Sequence, residues 1–280
     1  MKIKIELIKK LRDETQAGIQ DCKKALEQKN GDFEAAFSLL KEKSLFYFKN
    51  KKIKENKEGL TNVIVKDNKA ILYELNAETD FVVLNKNFIE LYNKIGEFLL
   101  EAEPSIKTLN DFLNYYKNGQ TVQEMILEKS FVIKEQISLS RIQVVYKKEK
   151  ESFGFYKHQG GKISSLVHLE NCSPDVQEHL PVHIVGMKPK FLSKETVEEN
   201  FILEERKKLL QQIKQKNINK PLSDDILNKI VDNSLNSIKE KNCLLEQPFY
   251  IDDKQKVKEY LLKNKTNVIG YYFFEVGGKK

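Results

Sequence analysis

Cysteine is scarce: Cys22, Cys172 and Cys243 are the three present, far apart and odd in number. That argues against a disulfide framework and fits a reducing compartment. Long apolar runs are missing too, and none approaches the ~20 residues that a membrane-spanning helix needs. The first residues carry lysines but neither an apolar h-region nor a cleavage site, so no secretory signal is read and a cytoplasmic location is expected. Arginine is almost absent. Arg12, Arg141 and Arg206 stand against 48 basic residues in all. The net charge of +7 invites a nucleic-acid reading. Phosphate and base recognition favours the planar guanidinium fork, however, and lysines scattered among 41 acidic residues read as a solvated surface. No glycine-rich loop ending in Gly-Lys-Ser/Thr occurs, so no nucleotide site of its own and no cofactor is expected.

What is present is enough chain to bury a sizeable core, in two or three modest domains. Residues 1–45 read as three short helices. Ile3, Leu7, Ile8 and Leu11 share one face, and Ile19, Cys22 and Leu26 repeat the spacing. Gly31 suits a helix end, and Asp32 suits the cap of a third helix carrying Phe33, Ala36, Phe37 and Leu40. Lysines 41, 43, 49, 51, 52, 54 and 57 mark a helix end running into a basic linker, 46–59. It reads as a solvated spacer or as a contact for an acidic partner surface.

Residues 60–150 read as a first α+β subdomain. Val63-Ile64-Val65, the turn Lys66-Asp67-Asn68-Lys69 and Ile71–Leu75 form a hairpin. Asn85 caps a helix bearing Phe88, Leu91, Tyr92, Ile95 and Leu99. A short helix carries Leu109, Phe112, Leu113 and Tyr116. Thr121 and Glu124 form a capping box, and Leu139–Tyr146 closes the sheet.

Residues 151–280 repeat the plan. Phe153–His158, a Gly160-Gly161 turn and Ile163–Leu169 make a second hairpin. Asn171-Cys172-Ser173-Pro174-Asp175 follows it as Asn76-Ala77-Glu78-Thr79-Asp80 follows the first, which suggests an internal duplication with Val176 opposite Phe81. Within this subdomain, residues 193–242 read as an inserted antiparallel helical hairpin. Ser193 and Ser223 are its caps, and its apolar stripe is thin. A carboxy-terminal module, 247–280, brings a last strand, Val268–Val276, back to the second sheet.

Local chemistry is sparse. His179 and His183 have helical ligand spacing, but Pro181 lies between them and no third ligand is near. Cys172 with His168 or His179 lacks a nucleophile signature, and a buried thiol is the default.

One stretch stands apart. Leu72–Leu75 continues a strand into the turn and cap residues Asn76, Glu78, Thr79 and Asp80, and Phe81-Val82-Val83-Leu84 follows at once. The Phe81 ring has two fates, folding into its own core or projecting as a wedge, and the sequence leaves both open. Asn76-Ala77-Glu78-Thr79-Asp80-Phe81-Val82 resembles the Thr-Asp-Phe-Val signature of elongation factor Ts, the nucleotide exchange factor for elongation factor Tu. Leu11-Arg12-Asp13-Glu14-Thr15-Gln16-Ala17-Gly18-Ile19-Gln20-Asp21-Cys22-Lys23-Lys24-Ala25-Leu26 resembles the family's amino-terminal signature. Gln247-Pro248-Phe249 and Phe274-Glu275-Val276-Gly277 follow in the family's order, so the resemblance spans nearly the whole chain.

The resemblance implies an α+β fold. It has a small ubiquitin-associated-like three-helix bundle, then two similar subdomains with antiparallel sheets, the second bearing the helical hairpin. It implies a binding protein, not an enzyme, with no catalytic, cofactor-binding or metal residues. Thr79, Asp80, Phe81 and Val82 would press into the GTP-binding domain of elongation factor Tu near its Mg²⁺, in the GDP-bound and nucleotide-free states. Arg12 and Ile19 would meet the same domain. His158, in Tyr156-Lys157-His158-Gln159-Gly160, matches the histidine of a partner-contacting Tyr-x-His-Gly segment, with Gln159 inserted before the glycine. Gln16 replaces the glycine usual after Thr15. The helical hairpin would serve self-association or partner contact.

Overall fold

Helices and antiparallel strands follow the spacing of the apolar residues along most of the chain. The structure is a computed structural model that describes residues 3–15, 17–50, 58–216 and 222–278. Backbone contacts divide the chain into two units. One comprises Met1–Tyr146, Lys157–Ser164 and Phe274–Lys280, and the other Lys147–Tyr156 and Ser165–Phe273.

The first unit opens with α1 (Ile5–Thr15), α2 (Ile19–Gln28) and α3 (Phe33–Asn50). Leu11, Cys22, Ala25, Leu26, Ala36 and Leu40 fill the centre of this bundle. Gly31 takes a φ of 84° after α2, and its N–H bonds the Leu26 carbonyl at 2.8 Å. This is the left-handed helix end that glycine makes without steric cost. Asp32 accepts from the Ala35 N–H at 3.0 Å. Helix α3 runs on to Asn50, so residues 46–50, expected in the basic linker, are helical. Lysines 51, 52, 54 and 57, like Gln16, lie outside the described residues.

The sheet of this unit has the order β1-β2-β5, formed by β1 (Glu58–Lys66), β2 (Lys69–Ala77) and β5 (Ser138–Tyr146). The hairpin pairs Lys66 with Lys69 across an Asp67-Asn68 turn in which Asp67 has a φ of 54°. Central β2 is buried from end to end. Between β2 and β5 come α4 (Asp80–Val83), α5 (Lys86–Glu101), α6 (Leu109–Leu113), the short strands β3 (Tyr116–Lys117) and β4 (Gln120–Thr121), and α7 (Val122–Ile133). Tyr73, Phe88, Leu91, Ile95, Leu99 and Phe112 belong to one core. Thr121 and Glu124 form the expected capping box. Tyr116, expected on the short helix, instead pairs with Thr121 in β3 and is exposed. The cause is the Asn118-Gly119 turn, both residues with positive φ, which folds the chain back there.

Two close contacts fix α5 on this sheet. Gly96 faces Tyr73, where a Cβ would stand 2.9 Å from the hydroxyl and 2.8 Å from Ile64 Cδ1. The Lys69 ammonium donates to the carbonyls of Leu99, Leu100 and Ala102 at 2.6, 3.1 and 2.7 Å, and so satisfies the end of the helix. On β2, Glu74 is buried. It accepts from Arg141 Nε at 2.6 Å, Asn76 Nδ2 at 2.8 Å and the Gly277 N–H at 2.8 Å. Arg141 also donates to the Glu275 carbonyl at 2.6 Å and lies 4.1 Å from the Phe274 ring centre.

The second sheet has the order β10-β7-β6, from β6 (Glu151–His158), β7 (Ile163–Glu170) and β10 (Asn267–Glu275). In both sheets the second strand of the hairpin is central and the later strand closes the other side, so the duplication extends to topology. After β7 come α8 (Pro174–Met187), the hairpin helices α9 (Glu199–Lys216) and α10 (Asp224–Asn242), strands β8 (Pro248–Phe249) and β9 (Asp252–Lys256), and α11 (Val257–Lys263). Ser193 does not cap α9 as expected. It closes the short turn Lys194–Thr196, because Thr196 folds its hydroxyl back onto the Ser193 N–H and carbonyl. Leu227, Val231 and Leu235 of α10 pack against Leu209, Leu210 and Ile213 of α9, and Arg206 pairs with Asp232 at 2.7 Å.

The helix caps correct the alignment of the repeats by one residue. Thr79 stands at the position just before α4, as Ser173, whose hydroxyl caps it, stands before α8. Val176 therefore stands opposite Val82, and Asp175 opposite Phe81. Val176 is wholly buried. Val176→Ala should cost about 1–3 kcal/mol of stability through the cavity it leaves. It should leave any action on a partner unchanged, which a thermal melt and a binding assay on one sample will show.

Candidate functional site

Strand β2 ends at Ala77, and two residues later the chain enters α4, a single helical turn. Each of those two residues is braced. The Glu78 carboxylate accepts from the Gln136 N–H at 3.1 Å. The Thr79 hydroxyl donates to the Glu135 carboxylate, with its oxygens at 2.9 and 3.0 Å. Val82 and Val83 are buried in the core beside Phe88. The Asn85 N–H bonds the Val82 carbonyl at 2.9 Å, and the Asn85 side chain accepts from the Asn87 N–H at 2.9 Å to start α5. One turn of helix with both valines inward must turn positions 81 and 84 outward, since residues three apart share a face. Phe81 is 82% exposed and Leu84 84%. Of the two fates open to the ring, folding into its own core is excluded by this geometry. Asp80 is exposed beside it. Val82, grouped with Thr79, Asp80 and Phe81 as partner-facing, is buried in the free chain and anchors the turn.

The remaining sequence-predicted residues lie on other elements. Arg12 is exposed near the end of α1, and Ile19 is exposed at the start of α2. His158 ends β6 and is half-buried. Its neighbour Lys157 donates to the Tyr92 hydroxyl at 2.7 Å and to Asn62 at 3.3 Å, and burial pushes its ammonium pKa down.

Sequence reasoning missed the turn after α7. Lys134 has a φ of 68°, in the left-handed region, and its ammonium donates to the Thr15 carbonyl at 2.9 Å. Glu135 and Gln136 follow it directly and hold Thr79 and Glu78. Local spacing carries no trace of these bonds, which join residues 56 to 119 positions apart.

The other candidates resolve into structure. Burial pushes the Cys172 thiol up to about 11, which disfavours the thiolate. His168 pairs with Glu151 at 2.7 Å. His179 bonds the Tyr250 hydroxyl at 2.8 Å. Buried His183 meets Gln247 Oε1 through Nε2 at 3.0 Å and accepts from the Tyr250 N–H through Nδ1 at 3.3 Å, so the proton sits on Nε2. Burial lowers its pKa below 6.5, with the Gln247 bond opposing the shift. The neutral ring is therefore favoured in the native state, while the unfolded chain binds more protons below its own value near 6.5. The stability that this ring contributes should be complete above about pH 6.5 and fall with pH down through the lowered native value. His183→Gln should flatten that slope in denaturant titrations between pH 7 and 5. Among the described residues no group of three or more His, Cys, Asp or Glu side chains is placed to hold a metal ion, and no helix is long and apolar enough to cross a membrane.

A sequence profile of the family described as "Elongation factor TS" matches residues 78–278, beginning at the first braced residue of the corner. The chain belongs to this family. It is 41% identical over 279 residues to "Elongation factor Ts" of Phytoplasma australiense, covering 100% of both chains. The protein of that name from Aster yellows witches'-broom phytoplasma (strain AYWB) is 42% identical over 277 residues, 99% of this chain and 100% of the relative. That of Acholeplasma laidlawii (strain PG-8A) is 39% identical over 278 residues, 99% and 93%. The three amino-terminal helices, outside the profile match, are included in these full-length similarities. Membership in the elongation factor Ts family makes the chain a translation elongation factor, with an α+β fold of three helices followed by antiparallel sheets.

Proposed function

We propose that this chain is a guanine nucleotide exchange factor that binds elongation factor Tu in its GDP-bound form and promotes GDP release. The observation that carries the reading is the Phe81 ring, bare to solvent on a corner that Glu78, Thr79, Val82 and Val83 hold without slack. A GTPase keeps GDP through a phosphate loop and a Mg²⁺ that bridges phosphate and protein oxygens. A ligand that favours the conformation lacking those contacts weakens GDP, and GDP weakens that ligand by the same factor. Burying one Phe supplies ~1.5–3 kcal/mol, which falls within the usual coupling range of ~1–3 kcal/mol. Phe81 is the wedge. Asp80, at the amino end of α4, suits the positive end of the helix and brings a negative charge alongside the ring. Thr79 and Val82 hold the backbone. Arg12, Ile19 and His158 add contacts that lengthen the complex's life. The chain makes and breaks no covalent bond, binds no nucleotide or cofactor, and works in the cytoplasm. The helical hairpin, with Leu203, Ile226 and Ile230 exposed, is in this reading a surface for the partner or for a second copy.

The test is direct. Elongation factor Tu loaded with a fluorescent GDP analogue is mixed with excess GDP, with and without this chain, in a stopped-flow instrument. Release should accelerate in proportion to the chain added. An unchanged rate would sink the reading.

A further inference from the structure

The turn at 134–136 touches two places at once. Lys134 reaches the end of α1 through the Thr15 carbonyl, which lies between Arg12 and Ile19 in the chain. Its ammonium also lies 3.9 Å from the Phe131 ring centre. Glu135 and Gln136 brace Thr79 and Glu78 behind the Phe81 ring. The turn itself is held. The Lys134 N–H bonds the Ser130 carbonyl at 2.8 Å, and the Ile137 N–H bonds the Ser130 hydroxyl at 3.0 Å. The three-helix bundle also meets the core where α3 packs on α7 and Lys41 pairs with Glu128. The Lys134 bond attaches the end of α1 beyond the end of α7 and opposes pivoting about the α3–α7 contact. A left-handed helix end is where glycine fits without strain. Lys188 ends α8 in the same conformation, so what distinguishes Lys134 is the Thr15 carbonyl that its side chain holds.

We propose that the 134–136 turn is a spacer that sets the Arg12–Ile19 surface and the Phe81 corner at one fixed separation, with Lys134 and Glu135 as positioning residues for partner binding. The proposal rests on the exchange reading above for its function and on the turn's own bonds for its geometry. Two surfaces that engage one partner reinforce each other only while their separation matches the partner's. A bundle free to pivot presents Arg12 and Ile19 in the right place only part of the time.

Lys134→Gly tests it, because glycine keeps the left-handed backbone and removes the tether. The full chain should fold with a thermal midpoint no lower than the parent's. In ¹⁵N relaxation, the amides of α1 and α2 should acquire a shorter effective correlation time than those of β1 and β2, whereas the parent should show one value for all. Affinity for elongation factor Tu should weaken on the order of tenfold. Arg12→Ala, which weakens the parent, should then add little in the Lys134→Gly background, as coupled residues do. Lys134→Arg should restore both readouts. A single correlation time in Lys134→Gly, or a full Arg12→Ala effect in that background, would overturn the proposal. If the parent chain fails to speed GDP release, the exchange reading falls, and the relaxation data still decide whether the turn sets the separation.

Discussion

Phe81→Ala should slow the catalysed release of GDP from elongation factor Tu by roughly thirtyfold, while the chain's own thermal stability changes by less than about 0.5 kcal/mol. The first figure follows from the ~2 kcal/mol or more that truncating an interface anchor costs, entered as a barrier difference. The second follows from exposure, because a ring 82% open to water contributes little to its own fold. The pairing of a large kinetic loss with an intact fold sets a wedge apart from a core residue. Phe81→Leu should recover part of the rate, since it restores apolar bulk without the flat ring. Stopped-flow release and differential scanning on the same preparations measure both quantities. An Ala variant that exchanges nucleotide at the parent rate would remove position 81 from the mechanism.

Arg141→Leu should produce the largest loss of stability, about 3–5 kcal/mol. The substitution leaves the Glu74 carboxylate buried, facing the neutral donors of Asn76 and Gly277 with no guanidinium beside it. Removing one partner of a buried ion pair carries that order of cost. It also removes the guanidinium's bond to the Glu275 carbonyl and its contact with the Phe274 ring. A fall in melting temperature of roughly 6–20 °C is expected for a domain of this size. Adding Glu74→Gln to Arg141→Leu should recover much of it, because the uncompensated charge disappears. If the double variant melts no higher than Arg141→Leu alone, the charge was not the cause.

Features written into neighbouring residues are legible in the amino-acid order alone. The Asp67-Asn68 hairpin, the Asn85 cap, the Thr121/Glu124 capping box and the Gly31-Asp32 junction each need only a few adjacent side chains, and each is present. The duplication is visible as well, but its alignment slips by one residue. A run ending in Asp reads the same in both copies, whereas the caps Thr79 and Ser173 become distinguishable only once the helices are formed. Tyr116 and Ser193 are misplaced because a helix-like spacing of apolar residues says nothing about a turn that intervenes. The exposure of Phe81 is beyond reach for a different reason. It is decided by Val82 and Val83 turning inward and by Glu135 and Gln136, which lie over fifty residues away. The resemblance points to the motif, and the packing shows which of its side chains face water.

A methyl group added at position 96 would act as a shim. It would meet Tyr73 and Ile64 well inside contact distance, so α5 would have to lift or tip on its sheet. The α4 corner is joined to the leading end of that helix through Asn85, and a small tilt there swings the aromatic tip by more than it moves the pivot. A side chain at buried position 96 would therefore shift the aromatic corner from underneath.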